Sequence, residues 1–204
     1  MAITGTKTGT LQTIVNSGGI SANTTLNLSG SANPTFGVSC PAALAGTITS
    51  GTVTLSASTT MAGTEKIGVF WTISGVNYQR LGCTIASGTG TAFALTGGSG
   101  TTLPGSGQAV TIAIGQDITG GVSIVGSNLI QLLATATLPG AVEWIDVTPT
   151  VQRTSTIAAA NGFDTWPTTN PVGSVPFSAT VLTLRCYNSN ASGASTVNVG
   201  AILA

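Results

Sequence analysis

The stretch Ile67-Gly68-Val69-Phe70-Trp71-Thr72-Ile73 sets the fold class of this chain. Successive side chains of an extended strand point to opposite faces, so every second residue from Ile67 to Ile73 lies on one face. That face is entirely large and apolar. The alternation predicts an antiparallel strand with one face buried in a core.

The same alternation recurs from one end of the chain to the other, with Gly, Asn, Ser and Pro between the stretches. β-Branched residues fill these rows and favour strands over helices, so we expect little helix. Further apolar rows are Val53 with Leu55, Val110 with Ile112 and Ile114, Leu182 with Leu184 and Cys186, and Val197 with Val199.

One segment competes between helix and strand. Leu129, Leu132, Leu133 and Ala136 follow helical spacing, but Gly126-Ser127-Asn128 just before them forms a plausible hairpin turn, so a strand is favoured. At 204 residues the chain is long enough for one large β domain. We predict an all-β fold, an antiparallel two-sheet sandwich of jelly-roll type over residues 34–204, with an extended N-terminal arm over residues 1–33. The alternative is a second small β domain that begins near residue 108, after a flexible connection over residues 97–108.

Charged residues make up only 5% of the chain, against about 25% in an average soluble domain. Five Lys and Arg balance five Asp and Glu, without a basic run, so nucleic acid and anionic membranes are not expected partners. The mean hydropathy of +0.45 reflects the missing charges, because no stretch has the ~18 apolar residues of a membrane span. The N-terminus lacks the features of a signal peptide, which predicts synthesis in the cytoplasm.

Catalytic chemistry has few candidate residues. The chain has no His, so the commonest general base and zinc ligand is absent. Glu143 and Asp146 could converge on a turn, but we favour rim charges on a short strand that holds Trp144. Cys40, Cys83 and Cys186 are expected to be buried thiols, with a Cys40–Cys83 or Cys83–Cys186 bridge as the alternative. We therefore expect no enzyme activity, catalytic residue, cofactor or metal.

Residues 158–178 combine three prolines with three aromatic residues, and we expect them to form a loop. Loops of this length are usually functional or disordered, and this one is too aromatic for simple disorder. Phe163, Trp166 and Phe177 are candidate partner contacts, because aromatic residues concentrate binding energy at interfaces. Equally, the loop could fold back over one end of its own sandwich.

The start Met1-Ala2-Ile3-Thr4-Gly5-Thr6, the Thr/Gly-rich arm, the Ser/Thr-alternating strands and the Pro/aromatic loop resemble capsid decoration (cement) and head-fibre proteins of tailed bacteriophages. The resemblance implies a jelly-roll module on the virion surface, often trimeric, that binds its own copies and the major capsid protein. It would stabilise or decorate the capsid. The alternatives are a self-assembling filament subunit and a receptor- or glycan-binding fibre tip, in which Trp166, Tyr78 or Tyr187 would stack on a sugar ring.

Overall fold

A computed structural model describes residues 7–8, 24–25, 36–122, 130–146, 153–157, 161–166 and 180–203. Within these ranges the regular structure is entirely β-strand, which confirms the all-β prediction, and no helix there could span a membrane. Every strand pair whose register is known runs antiparallel. The strands are β1 (Lys7–Thr8), β2 (Thr24–Thr25), β3 (Phe36–Cys40), β4 (Leu44–Thr49), β5 (Thr52–Met61), β6 (Lys66–Ile73), β7 (Val76–Ile85), β8 (Gly88–Gly100), β9 (Gln108–Ile114), β10 (Gln116–Val122), β11 (Ile130–Ala136), β12 (Gly140–Asp146), β13 (Arg153–Ile157), β14 (Gly162–Trp166), β15 (Thr180–Asn188) and β16 (Ser195–Leu203).

The chain divides into two compact units. The first, which we call the barrel unit, includes Cys40–Gln116 and Tyr187–Ser195. Its strands close into a six-stranded barrel in the order β4-β5-β8-β7-β6-β9, with β9 paired back to β4. Strands β6 to β8 form a meander and β9 returns beside β6, which is a Greek key. Residues 44–114 therefore form a barrel, where a sandwich was expected.

The barrel interior is filled by the apolar rows that the sequence predicts. Val53, Ile67, Val69 and Ile112 are fully buried in one hydrophobic cluster. Each buried aliphatic side chain of this kind contributes roughly 1.5–3 kcal/mol. Ile73 does not follow the row: it is 44% exposed, because β6 continues past the barrel end into solvent.

The outer face of β6 and β7 is covered as well, which the alternation did not predict. Ile67 pairs with Cys83 and Val69 with Arg80, so β7 carries one extra residue at this point, a β-bulge. Gly82 takes a positive φ of 71° there, and its N–H donates to the Tyr187 hydroxyl at 3.1 Å. The Tyr187 ring is buried beside Gly68, where an added Cβ would lie 2.9 Å from it.

One end of the barrel, which we call the tip, is built from two tight turns and a loop. Ser50-Gly51 joins β4 to β5 and Ser74-Gly75 joins β6 to β7, each with positive φ at both residues, as two-residue type I′ turns require. The loop is residues 101–107, and its Gly105 carbonyl accepts from the Ser50 N–H at 3.0 Å. The predicted flexible connection is therefore shorter than expected, because residues 97–100 belong to β8.

The second compact unit, the sheet unit, draws on Thr6–Ser39, Asp117–Cys186 and Thr196–Ala204. It holds one sheet in the order β1-β3-β16-β11-β14, with β2 also on β16, and a second in the order β10-β15-β12-β13. The predicted strand over residues 130–136 is confirmed as β11, whereas the turn at residues 126–128 lies outside the described residues. The jelly-roll sandwich and the domain boundaries at residue 33 and near residue 108 stay predictions.

Two segments expected to be irregular contribute strands to this unit. Residues 7–8 and 24–25 of the predicted arm pair with β3 and β16, respectively. Residues 162–166 of the predicted long loop form β14, which pairs with β11. For residues 162–166 the loop prediction was therefore wrong: neither face of this segment is uniformly apolar and prolines follow it, so no local pattern indicated a strand.

Candidate subunit-contact site

The barrel presents one wide surface without a charged residue. Strands β9, β4, β5 and β8 are neighbours in that order, and none of them contains Lys, Arg, Asp or Glu. We call their outer face the neutral wall. Its central residues are all exposed and are all Ala or Thr: Thr47, Thr49, Thr52, Thr54, Ala92, Ala94 and Ala109.

Strand register aligns these residues in rows across the wall. In one row Ala109 pairs with Thr47, Thr47 with Thr54, and Thr54 with Ala92. All of these side chains are short, so the wall has a low relief and another backbone could approach it closely. Thr hydroxyls supply donors and acceptors without a formal charge. The wall can therefore pack against protein at little cost in desolvation.

The barrel unit has three charged residues, Glu65, Lys66 and Arg80, and each is engaged within the unit. Lys66 Nζ donates to Thr84 Oγ1 at 3.1 Å. Arg80 Nε donates to the Gly97 carbonyl at 2.7 Å. All three charged residues lie on, or directly before, β6 and β7, and none lies on a strand of the neutral wall, although Arg80 donates to the β8 backbone at the edge of the wall.

Glu65 closes the turn that precedes β6. Its two carboxylate oxygens accept from the N–H groups of Ala62 and Gly63, each at 2.8 Å. Partial burial alone would raise the pKa of Glu65, but the surrounding backbone donors outweigh it and lower the pKa below the usual 4.5. The Glu65 carboxylate therefore stabilises the backbone turn before β6.

The sheet unit holds an ion cluster around Arg185. The guanidinium binds both carboxylate oxygens of Asp117 through Nε and Nη2, and its Nη1 lies 3.5 Å from Glu143 Oε2. Trp144 is fully buried, and Glu143 beside it is only 4% exposed, so the predicted position of Glu143 as a rim charge was wrong. β12 lies between β13 and β15, and Arg185 on β15 supplies the partner that permits this burial.

The three cysteines are buried and none forms a disulfide, which confirms the prediction of buried cysteines and excludes the two bridges in this structure. Burial raises the pKa of Cys40 from 9.0 to about 12. A thiol with such a pKa holds its proton at neutral pH, and the proton makes it a poor nucleophile. Within the described residues, no group of three or more Cys, Asp and Glu is placed to hold a metal.

The predicted partner contacts are placed only in part. Phe163 and Trp166 lie on β14 at the edge of its sheet, opposite Thr135 and Leu132 of β11, and Phe177 lies outside the described residues. A partner role for these three residues stays a prediction.

Two of the three aromatic residues suggested for sugar stacking are used internally. Tyr187 is 1% exposed, so it was wrongly assigned to a ligand surface. Tyr78 is half-buried against the barrel core, and its ring stacks on Trp71 with centroids 5.8 Å apart. The backbone of Trp166 lies on β14. The barrel therefore offers no free stacking platform at Tyr78 or Tyr187.

Sequence reasoning missed the turn at Ser74-Gly75 and the covering role of Tyr187. The first had a signal, since Ser-Gly between alternating apolar residues is typical of a two-residue hairpin. The second had none, because Tyr187 contacts residues that are about a hundred positions away in the chain. Comparison with protein-family models, curated proteins and solved structures gave no match to this chain.

Proposed function

We propose that this chain is a non-enzymatic structural protein of a virion, which decorates or stabilises the capsid by packing its neutral wall against other protein subunits. The main observation behind the proposal is that the short, uncharged side chains of the wall are aligned in rows across neighbouring strands. Four adjacent strands expose Ala and Thr in register and contain no charged residue. An ordinary soluble domain would place several charges on a surface of this extent.

The energetics of the wall favour protein as the partner. Burial of a charge in an interface carries a large desolvation penalty unless it is paired, and the wall has no charge to pair. The hydroxyls of Thr47 and Thr54 can exchange water for backbone groups of a partner. Contacts of this kind depend little on ionic strength, because screening acts on charges.

Nucleic acid and anionic lipid fit the same surface poorly. Both bind through several Lys or Arg side chains, and the two cations of the barrel unit, Lys66 and Arg80, already donate to groups within the unit. The virion part of the proposal comes from the resemblance to capsid decoration proteins. It includes a virion-surface location, self-association and binding to the major capsid protein, and the jelly-roll sandwich is proposed only for the sheet unit.

Charge introduced into the wall tests the proposal. Thr47→Lys with Thr54→Lys places two cations in one row, and Thr64→Lys places one at the exposed turn before β6, beside Glu65, as the control. Native particles of the source are first stripped of this chain, and purified protein is then added to them. Bound protein is measured by co-sedimentation and electron microscopy. The wall variant should lose at least about tenfold in affinity, which corresponds to about 1.4 kcal/mol, while the control binds like the unmodified chain.

Two results would count against the proposal. Equal binding of the wall variant and the unmodified chain would remove the wall from the interface. Failure of the unmodified chain to bind any source particle would remove the virion assignment, and filaments of the chain alone would support the filament alternative in its place.

A further inference from the structure

The tip carries the two large apolar side chains that are most exposed in the described part of the chain. Ile73 is 44% exposed and Val76 is 52% exposed, and they pair directly across the Ser74-Gly75 turn. We call these two side chains the apolar knob. Ile67 and Val69 on the same strand are fully buried, so the apolar row of β6 extends beyond the core that it fills.

The knob is held in a fixed position. The turn residues have φ values of 51° and 80°, which set the two-residue hairpin. Thr72 Oγ1 donates to Asn77 Oδ1 at 2.8 Å directly below the knob. Ile and Val are stiff at χ1, so they lose little conformational freedom on binding. The knob is therefore pre-organised for contact.

A second set of bonds ties the hairpin to the rest of the barrel. Trp71 and Tyr78 stack one level further down, with an interplanar angle of 17°. Gln108 Nε2 of β9 donates to the Thr72 carbonyl at 3.3 Å. The hairpin is thus supported on both sides of the turn.

The surroundings of the knob are uncharged. Residues 49–52, 72–77 and 101–108 form the tip and contain no Lys, Arg, Asp or Glu. The nearest cation in sequence, Arg80, donates to the carbonyls of Gly97, Gly100 and Thr101. An amphipathic surface that binds anionic membranes carries free basic residues beside its apolar face, and the tip has none.

This charge pattern fits a second copy of the same chain. A rotation axis through the knob places the residues beside the knob next to their own copies, so a charge there would face a like charge. An uncharged knob with internally bonded polar neighbours has no such penalty. We propose that copies of this chain associate through the tip, with Ile73 and Val76 of one copy packed against the same side chains of another around a rotation axis.

The small size of the knob sets the expected strength. A stable interface buries about 800 Å² on each partner, which is more than two partly exposed side chains supply. The association should therefore be weak and concentration-dependent in solution. The inference deepens the proposed function and rests on it for the expectation that the chain works as an assembly of copies.

Analytical ultracentrifugation of the full chain over a wide concentration range tests the inference. The double variant Ile73→Thr with Val76→Thr keeps β-branched side chains and replaces apolar groups by hydroxyls. The swap Ile73→Val with Val76→Ile is the control, because it preserves the apolar surface. We expect the Thr variant to have an association constant at least about tenfold lower than that of the unmodified chain, and the swap to stay within about twofold of it. Both variants should unfold at the same temperature as the unmodified chain.

The outcomes separate this inference from the proposed function. A chain that stays monomeric up to millimolar concentration, or a Thr variant that associates as the unmodified chain does, would overturn the inference. Co-sedimentation of the unmodified chain with phosphatidylcholine–phosphatidylserine vesicles, lost in the Thr variant, would overturn it in favour of a lipid surface. If tip variants stay bound to source particles while wall variants do not, the proposed function stands without the tip contact.

Discussion

The two halves of the barrel surface differ although they share one core. Strands β9, β4, β5 and β8 face outward with Ala and Thr and carry no charge. Strands β6 and β7 carry Lys66 and Arg80, and their outer face is covered by Tyr187 from the far end of the chain. The β6–β7 part of the surface is therefore covered by the protein's own fold, whereas the central residues of the neutral wall are exposed.

This difference teaches how a chain with few charges can specify one fold. The two aromatic pairs and the charges of the barrel unit lie on the β6–β7 side, and Gly82, Gly97, Gly98 and Gly100, all with positive φ, lie on β7 and the adjoining half of β8. The wall repeats small residues whose individual identity matters little to the fold. Substitutions on the two sides should consequently differ in their effect on stability, and four measurements sharpen or break that expectation.

The largest effect is expected at Tyr187. Its ring is buried and makes an edge contact with Phe70 at 6.5 Å between centroids, so Tyr187→Ala should lower the free energy of unfolding by about 3–5 kcal/mol. Tyr187→Phe removes only the partner of the Gly82 N–H and should cost about 1–2 kcal/mol. Thr54→Ala on the wall should stay within about 0.5 kcal/mol. Urea denaturation measures all three, and a Tyr187→Ala cost as small as that of Thr54→Ala would break the comparison.

A pair of glycines on β8 tests the same contrast within one strand. An added Cβ at Gly98 would lie 2.6 Å from Cys83 Sγ and 2.8 Å from the Leu81 carbonyl oxygen, at a φ of +78°. Gly98→Ala should therefore cost at least about 2 kcal/mol.

The matched change is Gly90→Ala, where the added Cβ would meet no atom within 4 Å. This variant should be neutral or up to about 1 kcal/mol more stable, because glycine in a strand is entropically unfavourable. Thermal and urea unfolding of both variants provide the comparison. Similar costs at the two positions would show that the β7 side is no more tightly constrained than the wall side.

Alkaline pH probes the buried thiol of Cys40. Its folded pKa is raised from 9.0 to about 12, so between these values the unfolded chain loses the proton and the folded chain keeps it. Stability is therefore fully present below pH 9 and falls by about 1.4 kcal/mol per pH unit above it. In Cys40→Ala this part of the slope should be absent. Urea denaturation from pH 8 to pH 11 gives the difference between the two chains, and identical slopes would contradict the assignment.

Much of the local structure could be predicted from sequence, because alternation is a local signal. The buried row of Ile67, Val69 and Trp71 follows from it directly, whereas the strand over residues 130–136 was favoured over a helix because of the predicted turn before it. The closure of the barrel does not follow, since a sandwich and a barrel share the same alternation. Closure depends on the pairing of β4 with β9, which joins residues 60 to 68 positions apart.

The composition of the neutral wall could be predicted from the sequence, but its position in the fold could not. Composition indicates a neutral surface, yet only the barrel order brings Thr47, Thr54 and Ala92 into one row. Glu143 was misplaced for a related reason. A lone acid in an apolar run suggests a surface position, and its partner Arg185 is 42 residues away in the chain.

The smallest effect is expected at Glu65, where the comparison concerns pH. Backbone donors hold the pKa of Glu65 below 4.5, so the stability that its carboxylate contributes is present above that value and is lost as the pH falls through the lower, folded pKa. Glu65→Gln should unfold at a slightly lower temperature than the unmodified chain at pH 7, and this difference should shrink as the pH is lowered below 4.5. A difference that persists unchanged at pH 3 would contradict it. The neutral wall has no group that titrates between pH 7 and pH 5, and Glu65 stays ionised over the same range. Binding through the wall should therefore not change between these two pH values.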